Sequence, residues 1–394
     1  MISGIPAPTQ GEFIYPKEIG QELEERLGRW WAEADGDQLK DFHEEAFLSE
    51  IYQTLETRFR VAKYLMTKEW NLFVFVIMET DWMQHFLWGE KDRCLFPFYV
   101  KIDERIGQLM QLLKEEDVIL MMSDHGFGST QKTFYLNSWL KEKGFLVSKR
   151  VRGSYREKLD MGLFHRKEEP SLIQKIKGLW SKKRSEIHWG KTQAYFVNTG
   201  YGYGIRINLM GREPEGIVLP EKYHELRNHI IEELHSIVDE EEGRCILEHV
   251  YQREDIYWGP HLKMAPDIAF IPHGDYTLND RVKDKIFKRS RVGQSSHRLE
   301  GILILQGPGI KKGKIIEGAH VMDVAPTALY LLGLPVPQDF DGKVLTEALE
   351  PEALKASPIR TEDIPLEIDA AEFAMTEAEE KEMRKKLQGI GYMD

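Results

Sequence analysis

Apolar runs flanked by carboxylates and imidazoles recur along this chain, and no other feature restricts its fold as strongly. Residues 72–78 read LFVFVIM and are followed by Asp81 and His85, in Thr80-Asp81-Trp82-Met83-Gln84-His85. Residues 118–122 read VILMM and lead through Ser123 into Asp124-His125-Gly126-Phe127-Gly128. A third run, 302–305, is preceded by its histidine, in Gly293-Gln294-Ser295-Ser296-His297. Short apolar runs bounded by polar residues suit buried strands of a parallel sheet. Ligands of α/β proteins gather beyond the carboxyl ends of such strands. Two Asp and three His delivered there predict a site for divalent metal ions.

The spacings bear on how these groups meet. Asp81 and His85 are four residues apart and share one helical face if the turn after the first strand is helical. Asp124 and His125 are adjacent, so an extended backbone sends them to opposite sides. Gly126 and Gly128 permit the bend that would bring both to one site. Mixed Asp/His donors without Cys suit zinc, manganese or iron. Taken singly, an Asp-His pair or a D-x-x-x-H is ordinary surface sequence; attachment of all three to apolar runs is what gives them weight. His249, His261 and His273 read as surface or loop residues, and Tyr201 and Tyr203 as packing residues among glycines. Trp82, Phe86 and Trp88 read as core walls of the metal pocket. Asp323 reads as a helix cap, and Asp341-Gly342 as a turn.

Elsewhere the pattern alternates. Residues 17–68 are helical in pattern, and Phe47, Ile51, Leu55, Phe59, Ala62 and Leu65 recur at helical spacing, as in an amphipathic helix covering a sheet. A strand at 71–79, a helix at 96–115 and a strand at 117–122 predict a right-handed βαβ unit. Strand-like sequence resumes at 194–209, 267–272 and 301–305. Helices are expected at 221–238 and 323–332, with a short final helix after the capping box of Thr376 and Glu379. Between Lys149 and Lys191 there are 13 Lys or Arg against 5 Asp or Glu, in a chain of formal net charge -12. This basic segment, with a helix around 172–183, reads either as a solvated face or as a lid that attracts anions.

Composition sets outer limits. A chain of 394 residues holds one large α/β domain or two ordinary ones. The acidic balance argues against general nucleic-acid binding. Cys94 and Cys245 form no disulfide framework and no C-x-x-C pair. No apolar stretch approaches the roughly 18 residues of a membrane span, and residues 1–10 lack the basic and apolar regions of a signal peptide. A cytoplasmic setting is the expectation.

The segments around Asp81–His85, Asp124–Gly128 and His297 resemble the metal motifs of the alkaline phosphatase superfamily. The branch they resemble is the type I phosphodiesterase/nucleotide pyrophosphatase group, with its predicted phosphohydrolase/phosphomutase proteins. Similar to that branch, too, are Asn208-Leu209-Met210-Gly211-Arg212-Glu213-Pro214, Ala265-Pro266-Asp267, Asp323-Val324-Ala325-Pro326-Thr327, Asp339-Phe340-Asp341-Gly342-Lys343 and Gly389-Ile390-Gly391-Tyr392. The resemblance implies an α/β, alkaline-phosphatase-like sheet flanked by helices, with an inserted cap. It also implies two divalent ions, zinc foremost and manganese second. Asp81, His85 and His297 would hold one ion, Asp124 and His125 the other. The implied activity is hydrolysis of a phosphate-ester small molecule or nucleotide through a covalent phospho-enzyme. A phosphomutase or phosphomonoesterase is the alternative within the superfamily, and a sulfatase is disfavoured because no Cys/Ser-x-Pro-x-Arg motif is present.

One departure from the family pattern matters. The family opens with a strand bearing another metal Asp, followed by a Ser or Thr nucleophile at a helix start. No such arrangement precedes Asp81, and Thr9 sits in a Pro-rich stretch, so the nucleophile is not identified. The family's N-terminal strands are therefore expected to be missing. The chain is expected to be a truncated product, an internal start or one half of a split enzyme, poorly active unless a separate N-terminal half is supplied. A non-catalytic metal- or partner-binding remnant is the rival of a different class. The expected organisation is a first core part at 1–148, a cap at 149–260, a second core part at 261–345 and a tail at 346–394.

Overall fold

A computed structural model describes residues 2, 14–28, 44–89, 92–151, 184–198, 203–290 and 294–363. The chain divides into two compact units, one formed by Met1–Gly128 with Ser295–Asp394, the other by Ser129–Gln294. Each mixes helices and sheets. The sequence led us to expect an insertion at 149–260; the unit that interrupts the first spans Ser129–Gln294.

In the first unit the described α-helices are α1 (Lys17–Leu27), α2 (Glu44–Leu65), α3 (Glu79–Leu87) and α4 (Leu95–Met110), with later helices at Val324–Leu331 and Pro351–Ala356. The helical spacing in α2 buries Phe47, Ile51, Leu55, Phe59 and Ala62. Phe47, Ile51, Leu55 and Phe59 pack on Trp82, Met83 and Leu87 of α3 and on Leu95, Phe98 and Ile102 of α4. The amphipathic stripe thus faces two helices, where a sheet was expected. The reason is that a 3.6-residue period encodes a buried face but not the kind of element that covers it.

Residues 72–77 form no ladder with any described strand, which corrects the expected first strand. They keep the alternation of one, however. Phe75 and Ile77 pack against the helical cluster, with the Phe75 ring 5.0 Å from that of Phe59. Leu72, Val74 and Val76 point outward at 58%, 74% and 58% exposure. A run apolar at every position reads as buried on both faces, yet here only one face is covered.

The second expected strand forms at Ile119–Met122 but pairs antiparallel with Leu303–Gln306, in register Ile119↔Gln306 and Met122↔Leu303. The parallel βαβ unit is therefore absent among the described residues. Apolar runs carry no label for partner or direction, and the partner here comes from far along the chain. Ser123 extends the pairing: its N–H donates to Ile302 O at 3.1 Å, and its Oγ accepts from Ile302 N at 2.9 Å. Below this pair, Leu305 and Val118 pack with Ile310, Tyr330, Val344 and Leu349. Asp323 does cap, accepting from His320 N at 2.9 Å and Lys343 N at 2.8 Å. Gly342 is required there, because a Cβ would lie 2.0 Å from Met322 O. The expected final helix at 376–389 lies outside the described residues.

The second unit holds a four-stranded antiparallel sheet in the order Leu247–Gln252, Ile268–Pro272, Tyr203–Ile207, Ala194–Asn198. A three-stranded sheet joins Tyr276–Asn279, Lys132–Tyr135 and Phe287–Arg289. Phe134, Leu140, Phe196, Ile205, Ile230 and Phe270 are among the buried residues of their common core. Gly204 lets the Pro266 ring approach, since a Cβ would meet it at 2.3 Å. Gly200, Tyr201 and Gly202 are outside the described residues. So are residues 152–183 of the basic segment, including its expected helix; the flanking strands Ser148–Val151 and Arg184–Ile187 pair antiparallel.

Two family-like segments of the sequence meet in this unit. The Arg212 guanidinium grips the buried Asp267 carboxylate through two bonds of 2.6 Å. Asp267 also accepts from Tyr223 Oη at 2.8 Å, Ile207 N at 2.7 Å and Arg253 Nη1 at 3.2 Å. Burial alone would push the Asp267 carboxyl up; the Arg212 fork and the Ile207 N–H overcome this and hold it below the usual range. A second buried cation, Lys132, lies 2.7 Å from both Asp239 and Glu241.

Removing one partner of a buried ion pair leaves the other uncompensated, at a cost of about 3–5 kcal/mol. Arg253 and Tyr223 remain on Asp267, so Arg212→Ala is expected to cost near 3 kcal/mol of urea stability, the low end of that range. Because the folded carboxyl is depressed, its contribution is complete above the unfolded pKa of about 3.9. It is lost as pH falls through the lower folded value. Urea melts of wild type and Arg212→Ala should therefore converge as pH drops below about 4; a constant gap would refute the assignment.

Candidate metal centre

Helix α3 begins directly after the unpaired run 72–77 and carries Asp81 in its first turn and His85 in its last. The four-residue spacing sets both on one face, with His85 Nε2 3.4 Å from Asp81 Oδ1. His125 follows the strand Ile119–Met122 and precedes Gly126–Ser129, which pairs with Ser295–Arg298, the strand that carries His297. That pairing carries His297 to α3: its Nε2 is 3.3 Å from Asp81 Oδ1 and 3.0 Å from His85 Nε2.

Gly126 and Gly128 do not form the expected bend. Both lie in an extended strand, where a Cβ on Gly126 would meet Glu300 O at 2.0 Å and one on Gly128 would meet Arg298 Nε at 2.7 Å. Close backbone approach, not turn conformation, requires glycine at 126, whereas at 128 a Cβ meets only the tip of the flexible Arg298 side chain.

His125 stacks on His297 with ring centroids 3.7 Å apart, and its Nε2 is 3.8 Å from Asp81 Oδ1. Its Nδ1 lies 3.0 Å from Gly126 O. A carbonyl only accepts, so Nδ1 carries the proton and Nε2 presents its lone pair inward. This is the usual device for fixing the tautomer of a ligating histidine. Burial pushes His85 below the ordinary imidazole range, the nearby Asp81 charge opposing this and His297 and His125 adding to it. A neutral imidazole is the form that ligates metal.

Asp81, His85, His125 and His297 thus converge from three separated segments, with one donor atom each from Asp81, His125 and His297 within 4.8 Å of one another. A tetrahedral zinc with bonds of about 2.0–2.1 Å has donor–donor edges of about 3.3–3.4 Å. The separations of 3.4, 3.3 and 3.0 Å among Asp81, His85 and His297 come close to three such edges. Asp124 stands apart from this group. Its carboxylate is 79% exposed and lies 3.6 Å from His125 Nε2. The expected division of ligands into two sets is therefore blurred, because His125 faces Asp81 as well as Asp124.

Sequence reasoning missed some of the surroundings. The Phe127 ring stands edge-on to His85 at 4.8 Å and meets His297 at 5.4 Å. Trp88 packs on it at 5.5 Å. Tyr99 of α4 accepts from Gln84 Nε2 at 2.8 Å, and burial followed by the Asp81 charge pushes its phenol up. An aromatic at position 99 within a helix of ordinary composition gives no sequence signal. Trp82 is fully buried, as expected of a core wall.

Comparison with known proteins adds a family and distant structural likenesses. A family model described as type I phosphodiesterase/nucleotide pyrophosphatase matches residues 7–301. Among solved structures, human ectonucleotide pyrophosphatase/phosphodiesterase 5 is similar at 15% identity and TM-score 0.40, over 77% of this chain and 64% of that one. Phosphonoacetate hydrolase from Sinorhizobium meliloti is similar at 13% identity and TM-score 0.38, over 72% and 56%. An alkaline phosphatase PafA variant follows at 16% identity and TM-score 0.30, over 70% and 46%. The chain spans less than two thirds of each of these solved chains. Comparison with curated proteins gives no match.

Replacing a donor should weaken metal binding according to its place in the cluster. In equilibrium titrations with Zn2+ or Co2+, Asp81→Asn and His297→Ala are expected to lose the tight site, whereas Asp124→Ala should retain it. Equal loss in all three would place the ion beside Asp124 instead.

Proposed function

Because the chain belongs to the type I phosphodiesterase/nucleotide pyrophosphatase family, we propose that it is a metal-dependent hydrolase of phosphate esters, with phosphodiesters or nucleotide pyrophosphates as substrates. The convergence of Asp81, His85, His125 and His297 is the observation that carries this reading. One ion is assigned to Asp81, His85 and His297, and a second to Asp124 and His125. Zinc is the first choice and manganese the second, as mixed carboxylate–imidazole donors allow. When bound, such ions neutralise a phosphoryl group and stabilise attacking and leaving oxygens. The protein's own part is positioning: α3 fixes Asp81 and His85 on one face, the strand pairing fixes His297, and Gly126 O orients His125.

A hydroxyl nucleophile is not identified among the described residues. Among described residues flanking the cluster in sequence, Ser123 Oγ is engaged by Ile302 N, and Ser295 Oγ donates to Gln84 O at 3.1 Å. The run 72–77, half covered and without a ladder partner among the described residues, supports the further reading that a strand from a separate N-terminal half pairs there and brings the nucleophile. The unit Ser129–Gln294 is assigned as the family's inserted cap. A cytoplasmic setting is supported by Cys94 and Cys245 both being free thiols and agrees with the lack of a membrane-spanning helix among the described residues.

Bis(p-nitrophenyl) phosphate with added zinc or manganese is the direct test, with p-nitrophenyl phosphate as the monoester comparison. Residues 1–394 alone are expected to turn the diester over slowly. Adding an N-terminal polypeptide that bears the family's Asp and Ser/Thr should raise the rate, and His125→Ala should abolish the gain. Robust turnover by the chain alone, lost in His125→Ala, would overturn the split-enzyme reading. Turnover indifferent to chelation and to His125→Ala would overturn the metal-dependent one.

A further inference from the structure

Directly before Asp81, the chain buries a charge that the site chemistry does not use. Glu79 opens α3, and its side chain is fully buried in contact with Arg58 of α2, whose Nε lies 2.6 Å from Glu79 Oε1. The surroundings are apolar: Phe59, Phe75, Ile77, Trp82 and Met83 belong to the cluster packed between α2, α3 and α4. Neither Glu79 oxygen makes a hydrogen bond in good geometry, and Trp82 Nε1, one turn along α3, is likewise buried without one. Among the described residues, Arg58 is the one cation set against this buried carboxylate.

Stability gives no reason for such a pair. Desolvating two charges costs as much as or more than their attraction returns, and well-packed apolar residues of similar volume are often equally or more stabilising. What the pair does supply is a fixed point. It ties the first turn of α3 to α2 two residues before Asp81, on the helix whose azimuth decides whether Asp81 and His85 face His297. A residue at position 79 free to slide would let α3 rotate about its axis, and both separations to His297, 3.3 Å from Asp81 and 3.0 Å from His85, would open together. The acidic side chain also suits the positive end of the helix macrodipole.

We propose that Glu79 and Arg58 are positioning residues for the metal centre, their ion pair setting the rotation of α3 so that Asp81 and His85 present their donors to the ion. This rests on the metal reading given above. Groups that orient ligands without touching the metal typically change its affinity by about 10–100-fold when removed.

The test separates positioning from stability. In the full chain, the pair is replaced by the apolar Arg58→Met/Glu79→Met and, separately, by the near-isosteric Glu79→Gln. Urea melts report stability; Co2+ titration followed by visible absorption reports affinity and coordination geometry. The double variant is expected to keep its urea midpoint, since no charge is left unpaired. It should bind Co2+ about 10–100-fold more weakly, with an altered spectrum. Glu79→Gln should show the same spectral change whatever its stability. A double variant with wild-type affinity and spectrum would overturn the proposal while leaving the metal reading intact. Wild type that takes up no Co2+ would overturn the metal reading, and the positioning role with it.

Discussion

One carboxylate oxygen faces three imidazole nitrogens, and the rest of the first unit is arranged to keep it so. Asp81 Oδ1 lies 3.4, 3.8 and 3.3 Å from the Nε2 atoms of His85, His125 and His297. Burial favours the neutral form of His85, and the Gly126 carbonyl fixes a tautomer of His125 whose inner nitrogen is a lone pair. With neutral imidazoles whose Nε2 atoms carry lone pairs, such a cluster needs a positive charge among its donors. A bound cation supplies that charge without protonating the ligands, which is why this cluster, and not any single motif, carries the functional reading.

Three kinds of structure hold the cluster, and each answers to a different feature of the chain. Helical periodicity in α2 fixes α3 through a packed aromatic and aliphatic core. Antiparallel pairing of Ile119–Met122 with Leu303–Gln306, and of Gly126–Ser129 with Ser295–Arg298, closes about 170 residues of intervening chain so that His297 reaches His85. Glycine at 126 permits that closure by yielding the space a Cβ would occupy beside the Glu300 carbonyl. Against these, residues 72–77 expose three aliphatic side chains with no strand beside them among the described residues, the arrangement that invites pairing with another chain.

Much of the site was legible because its chemistry is concentrated in distinctive residues. Asp81, His85, His125 and His297 stood out as donors beside apolar runs, and the structure brings them together. Asp124 stood out in the same way, after the run 118–122 and within a family-like motif, and its carboxylate turns to solvent beside His125. Among the described residues, α2 was legible because its apolar residues recur at helical spacing. Strand partners were not, since 72–78 and 118–122 look alike as sequences. One is left unpaired and the other pairs antiparallel with a segment nearly 200 residues distant. Glu79 and Arg58 escaped notice for a related reason: a Glu at a helix start and an Arg within a helix are ordinary in sequence, and only their joint burial distinguishes them.

X-ray absorption at the zinc edge of the metal-loaded chain tests the central claim most directly. The account predicts a shell of three or four nitrogen and oxygen donors at about 2.0–2.1 Å. It also predicts the outer-shell scattering of more than one imidazole, reduced in His297→Ala. Zinc bound by oxygen alone, or with imidazole scattering unchanged in His297→Ala, would contradict it.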